Sequence, residues 1–161
     1  CARITGMDET GRRLSVRALE GGDAEPLQEL DARYSSRLKI EPTASQAAAN
    51  FHSRTGHSFV AVDRDGRAHG FVLAHALWTG GRPTVRVERL AAGEPGDSAV
   101  LQALAAALVK SAYDAGVYDL IAELPEGDSD AAAALGETMF TPARAVLYTR
   151  TLGSRGQAAA R

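Results

Sequence analysis

The spacing of hydrophobic positions along the chain changes from twos to threes and fours and back, and each change marks an element. Residues 14–19 alternate and predict a short first strand. Asp23 is placed to cap a helix that tolerates Pro26 in its first turn, with Leu27, Leu30, Tyr34 and Leu38 on one face. A second helix is predicted to open at Pro42-Thr43, where Thr43 and Gln46 have capping-box spacing, Ala47 and Phe51 supply its apolar side, and Gly56 ends it.

Period two then takes over. Residues 57–63 and 68–78 read as strands around the hairpin signal Asp65-Gly66, and Gly80-Gly81 turns the chain into a third strand at 84–90. A loop of small and acidic residues, 91–97, leads to the clearest helix, 98–112, with Leu101, Leu104, Ala105, Leu108 and Ala112 at helical spacing. Gly116 ends that helix and a strand follows at 117–123. A β-loop-α-β crossover of this kind is right-handed and makes its two strands parallel neighbours. A short Ala-rich helix at 129–138 and a closing strand at 143–152 complete the order β-α-α-β-β-β-α-β-α-β. The expected fold is α/β, with a mixed, mostly antiparallel sheet flanked by helices. It occupies residues 13–152 as one domain, between frayed tails at 1–12 and 153–161.

Composition narrows the classes of function. At 161 residues, 45% hydrophobic and 24% charged, the chain can bury a core unaided. A formal net charge of −2 gives no general attraction to nucleic acid or to an anionic membrane. The single cysteine, Cys1, rules out an intramolecular disulfide. A chain that opens on Cys rather than Met reads as a trimmed product. No stretch approaches the roughly 18 apolar residues of a membrane helix, and the polar N-terminus does not read as a signal peptide, so the cytoplasm is expected.

Familiar catalytic patterns are missing: there is no Ser-His-Asp constellation, no P-loop and no dinucleotide glycine motif. His69 and His75 share a strand six residues apart, too far to chelate one metal, and His52 and His57 flank the end of the second helix. All four are expected to be structural or solvent-facing, with no metal site. Trp78, at a hairpin end, is expected either in the core or lining a pocket.

The element order, taken with residues 85–92, the loop after them and the helix opening at 98–104, resembles the GNAT N-acetyltransferase superfamily over residues 14–152. Residues 131–140 resemble that family's last helix, which commonly ends in Gly-Phe; here Met139 replaces the Gly. The resemblance implies acetyl transfer from acetyl-CoA to an amine, small molecule or peptide. In such a fold the diphosphate rests on backbone N–H groups at the start of the long helix. The corresponding stretch here is Gly93-Glu-Pro-Gly-Asp-Ser98. Pro95 has no N–H to give, Glu94 and Asp97 are negative, and Ala92 stands where the family usually has Arg or Gln. The resemblance assigns phosphate contacts to Gly93, Gly96, Ser98 and Ala99, and contacts with the pantetheine arm to the backbone of Leu90 and Ala92. The plain structural alternative is that Asp97 or Ser98 is an ordinary N-cap.

In the same resemblance the strand before the loop turns polar side chains to the cleft. Strict alternation puts Arg86, Glu88 and Leu90 on one face and Val85, Val87 and Arg89 on the other. Glu88 is then the expected general base, with a salt bridge to Arg86 or to a neighbouring strand as its alternative role. The family's acidic Tyr is absent, since Leu135 and Gly136 occupy its region, and Tyr148 on the closing strand is the substitute candidate. The long strand near Arg150 offers an edge for a second copy, a homodimer. The alternative function is a non-catalytic GNAT-fold domain that binds another ligand or a partner.

Overall fold

Residues 4–7 and 13–145 are described by a computed structural model. Among them six strands form one sheet in chain order: β1 (Ile4–Met7), β2 (Arg13–Ala18), β3 (Phe59–Val62), β4 (Ala68–Thr79), β5 (Arg82–Ala92) and β6 (Asp119–Ala122). Every neighbouring pair is antiparallel except β5 and β6, which run parallel as the crossover predicts. The helices are α1 (Ala24–Leu38), α2 (Gln46–His52), α3 (Ser98–Asp114) and α4 (Ser129–Glu137).

The sheet carries a core on each face. On one, Val72, Ala74, Val85 and Val87 meet Leu101, Leu104, Ala105 and Leu108 of α3 and Ala131 and Leu135 of α4. On the other, Phe71 and Leu73 meet Leu27, Leu30 and Tyr34 of α1, the stripe that the spacing predicts. Close approach is possible because two glycines present no side chain. A Cβ on Gly70 would lie 2.4 Å from Val100 Cγ1, and one on Gly93 would lie 2.6 Å from Leu30 Cδ2. The two-residue turn Gly80-Gly81 has positive φ at both positions, which suits the right-handed twist of the β4–β5 hairpin.

Four expectations need correction. Residues 4–7, read as part of a frayed tail, form β1 and pair with β2 from Ile4↔Val16 to Met7↔Arg13. The second helix starts at Gln46 rather than at Pro42-Thr43: Ser45 is its N-cap, accepting from the Ala48 N–H, while the backbone N–H of Thr43 donates to Asp31 of α1. That long-range bond holds Thr43 in the connection and hands the cap to the next suitable hydroxyl. The buried residues of α2 are accordingly Ala49 and His52, and Phe51 is about half exposed. Finally, Leu90 does not share a face with Arg86 and Glu88. It belongs to the α3-side core with Val85 and Val87, because a bulge interrupts the alternation.

The closing strand lies outside the described residues from position 146 on, and Tyr148 and Arg150 with it. Among the described residues no helix is long and apolar enough to cross a membrane.

Candidate functional site

The bulge that breaks the alternation is at Glu88. Val87 pairs with Ala74 and Arg89 with Leu73, leaving Glu88 without a partner of its own on β4. An extra residue of this kind bends the strand and re-aims the side chain it carries. On the other side of β5, pairing with β6 runs from Thr84↔Asp119 to Val87↔Ala122 and stops there. Beyond that point β5 continues to Ala92 while β6 ends, so the two strands part, with Glu88 the first residue past the last paired one.

Glu88 stands in a charged chain. Its Oε1 lies 3.3 Å from Arg86 Nε and 3.7 Å from His75 Nδ1. Both nitrogens are buried and make no hydrogen bond among the described residues. Arg86 Nη2 donates to Glu123 Oε2 at 3.0 Å, joining the two strands where they part. The alternative role expected for Glu88, an ion pair with Arg86, is therefore present alongside its position where the strands part. On the α2 side, His75 lies edge-on to Phe51 at 5.7 Å between ring centroids and 5.9 Å from the His52 ring.

Past the bulge β5 no longer pairs with β6. The Gly93 N–H donates to the His69 carbonyl at 2.8 Å, so the odd-numbered residues 93, 91 and 89 turn their polar groups to β4. The N–H and C=O of Leu90 and Ala92 consequently point away from β4, on the side where β6 has ended, and both residues are buried as a whole.

The loop itself is folded onto its own acids. The Gly96 N–H donates to Asp130 Oδ2 at 2.9 Å, and the Ser98 N–H to the Gly96 carbonyl at 2.7 Å. Asp97 is the N-cap of α3, accepting from Val100 N. Among the residues expected to hold phosphate, Gly93 gives its N–H to β4, Gly96 to a carboxylate and Ser98 to the loop. Pro95 has none. Glu94 is exposed beside them. In this conformation the loop does not fit a diphosphate, because donors and charge are both committed the wrong way. Ala99, in the first turn of α3, is the remaining expected contact.

A second acid reaches across from α4. Asp128, its N-cap, holds the Ala131 N–H with Oδ1 and accepts the Tyr34 hydroxyl proton with Oδ2. Burial first, and that bond second, raise the Tyr34 pKa above the ordinary phenol value. A phenol so held is a poor proton donor to a leaving thiolate. Sequence reasoning puts Tyr34 on the core stripe and gives no sign of Asp128 or Asp130, whose partners are 94 and 34 residues away. Trp78 is neither in the core nor beside Glu88. It is 71% exposed and pairs with Pro83, at the far end of the hairpin from Leu90.

The histidines away from Glu88 are structural. His57 Nδ1 meets Ser111 Oγ at 3.0 Å, and His69 Nε2 meets Asp63 Oδ2 at 2.9 Å. Burial lowers the pKa of both His52 and His57 below 6.5. Below about that pH the unfolded chain binds protons that the folded chain refuses, so stability declines as pH falls. Thermal unfolding should therefore show a melting temperature that drops as the pH falls below about 6.5. The double variant His52→Gln/His57→Gln should flatten that slope; an unchanged slope would assign it to other groups.

Comparison with known proteins agrees with this fold. The family model described as "Protein of unknown function (DUF1999)" matches residues 14–161. No curated protein matches the chain. The solved structure of TTHA1254 from Thermus thermophilus is 35% identical, with a TM-score of 0.71, covering 87% of this chain and 98% of its own. A ribosomal-protein-alanine N-acetyltransferase from Brucella melitensis biovar Abortus 2308 is 21% identical at TM-score 0.63, covering 87% of this chain and 99% of its own. An aminoglycoside acetyltransferase from an uncultured soil metagenomic sample is 14% identical at TM-score 0.66, covering 87% and 97%.

Proposed function

The chain belongs to the DUF1999 family and shares its fold with GNAT acetyltransferases, and from that premise we propose that it is a divergent GNAT member, an acyltransferase acting on an amine. The donor in this reading is acetyl-CoA, the acceptor a small molecule or peptide, and the setting the cytoplasm. The observation that supports it is the bulge at Glu88, just past the point where β5 and β6 part.

Glu88 accepts the proton that an ammonium must lose before its nitrogen can act as a nucleophile, directly or through a water. Arg86 keeps the carboxylate in place and, through Glu123, ties β5 to the residue that follows β6. His75 adds a second N–H-bearing ring beside the same oxygen. With Tyr34 unsuited to proton donation and the family's acidic Tyr absent, no general acid is assigned among the described residues.

A second reading, a non-catalytic GNAT-fold domain that binds another ligand or a partner, is favoured by one observation. Asp130 holds the Gly96 N–H, and Glu94 and Asp97 flank it. Calorimetric titration with acetyl-CoA separates the two readings: the enzyme reading expects binding and the other expects none.

A further inference from the structure

Buried polar atoms in a folded chain normally find a partner, so those without one mark a contact still to be made. Among the described residues, the buried side-chain nitrogens and oxygens that make no hydrogen bond are His75 Nδ1 and Arg86 Nε. The two residues stand directly opposite each other on β4 and β5. Each nitrogen lies beside the same carboxylate oxygen, Glu88 Oε1, at 3.7 Å from His75 and 3.3 Å from Arg86. The His75 separation exceeds an N–H···O hydrogen bond by about half an ångström.

The surroundings of the ring leave Glu88 as its partner. His75 is half-buried, edge-on to Phe51 and 5.9 Å from the His52 ring. His52 is turned elsewhere, with its Nδ1 3.4 Å from the Ala74 carbonyl and 3.5 Å from Ser58 Oγ. Arg86 gives Nη2 to Glu123. The charged and titratable groups around His75 are therefore Glu88 and Arg86 from β5 and His52 from α2, with Glu123 behind Arg86. Glu88 is also the member best able to adjust, because the bulge leaves it without a partner on β4. Hydrogen bonds to a catalytic group are often long without substrate and tighten once it binds.

We propose that His75 is a positioning residue for Glu88: its Nδ1–H and the Nε–H of Arg86 together hold Oε1, so that Oε2 takes the proton of the amine. The inference rests on the acyltransferase reading above and adds a second residue to its site. A carboxylate held by Arg86 alone can turn about that contact; donors from two strands fix its plane. In the step itself Oε2 gains the proton, the amine nitrogen recovers its lone pair, and His75 exchanges no proton.

The first half of the test needs no substrate. Long-range proton–nitrogen NMR spectra at neutral pH should show the His75 ring carrying a proton on Nδ1, and Glu88→Ala should shift that resonance. An unprotonated Nδ1, or a resonance that Glu88→Ala leaves in place, overturns the proposal. The second half follows thiol release from acetyl-CoA with a panel of primary amines for wild type, His75→Asn and His75→Leu. Asn carries an N–H close to the place of Nδ1 but cannot serve as a proton carrier, so its kcat should stay near that of wild type. His75→Leu should lower kcat by about ten- to a hundredfold with KM unchanged, the scale of a small misplacement of a catalytic group. Equal losses in the two variants, or none in His75→Leu, overturn the proposal and spare the acyltransferase reading. No turnover by wild type with any amine removes that reading and the positioning role together, whatever the spectra show of the His75–Glu88 contact.

Discussion

Glu88→Gln should lower turnover with a competent amine by about 10²–10⁴-fold, the usual contribution of a positioned base. Gln keeps the shape of the side chain and can still accept from Arg86, so the bulge and the β5–β6 junction should survive. What it loses is the capacity to take up a proton. The loss should appear in kcat, with CoA affinity unchanged, because Glu88 lies within β5 and the loop expected to meet the diphosphate begins only after Ala92. Raising the pH should recover part of the activity of the variant, since a larger fraction of the amine then arrives already deprotonated. A variant with wild-type turnover at neutral pH would reduce Glu88 to the partner of Arg86.

The largest effect on stability is expected from Asp31→Ala. Asp31 is fully buried in α1 and accepts from the backbone N–H groups of Thr43 and Ala44, the latter at 2.7 Å. Its other oxygen lies 3.3 Å from Nε of Arg89, itself only 6% exposed. Arg89 is further held by the Glu41 carbonyl and Thr43 hydroxyl, with its guanidinium 5.2 Å from the Tyr34 ring centroid. Removing the carboxylate leaves a buried cation without its counter-ion and two backbone donors without partners, a loss of about 3–5 kcal/mol. At about 2–4 °C per kcal/mol for a chain of this size, the melting temperature should fall by roughly 10 °C. Arg89→Met should be similarly damaging, and the double variant Asp31→Leu/Arg89→Met less so than the sum, since it removes both charges together. A loss below about 1 kcal/mol for Asp31→Ala would mean that water reaches the pair and that its burial is not what holds the α1–α2 connection.

These two residues also mark what can be read from the sequence. Wherever one face of an element is buried against a single neighbour, as in α1 or α3, apolar spacing is sufficient, and the β-α-α-β-β-β-α-β-α order follows from β2 to α4, β1 being missed. It fails where a distant partner decides the outcome. Thr43 and Ser45 both have the chemistry of a cap; Asp31, a dozen residues away, decides for Ser45. Glu88 is legible from its place on the strand, but alternation assigns Leu90 to the wrong face, because a bulge has no local signature in Val-Glu-Arg-Leu. The weakness of the loop is visible in Pro95, Glu94 and Asp97. Its closure by Asp130 is not, since that carboxylate looks like any first-turn acid on a short helix.

The central claim, that this chain takes an acyl-CoA, is tested most directly by titrating acetyl-CoA into the purified, nucleotide-free protein. Wild type should bind in the micromolar to submillimolar range, corresponding to about −5 to −8 kcal/mol. Absence of heat and of any thermal shift at millimolar acetyl-CoA would contradict the account and leave a GNAT-fold domain whose ligand or partner is of another kind.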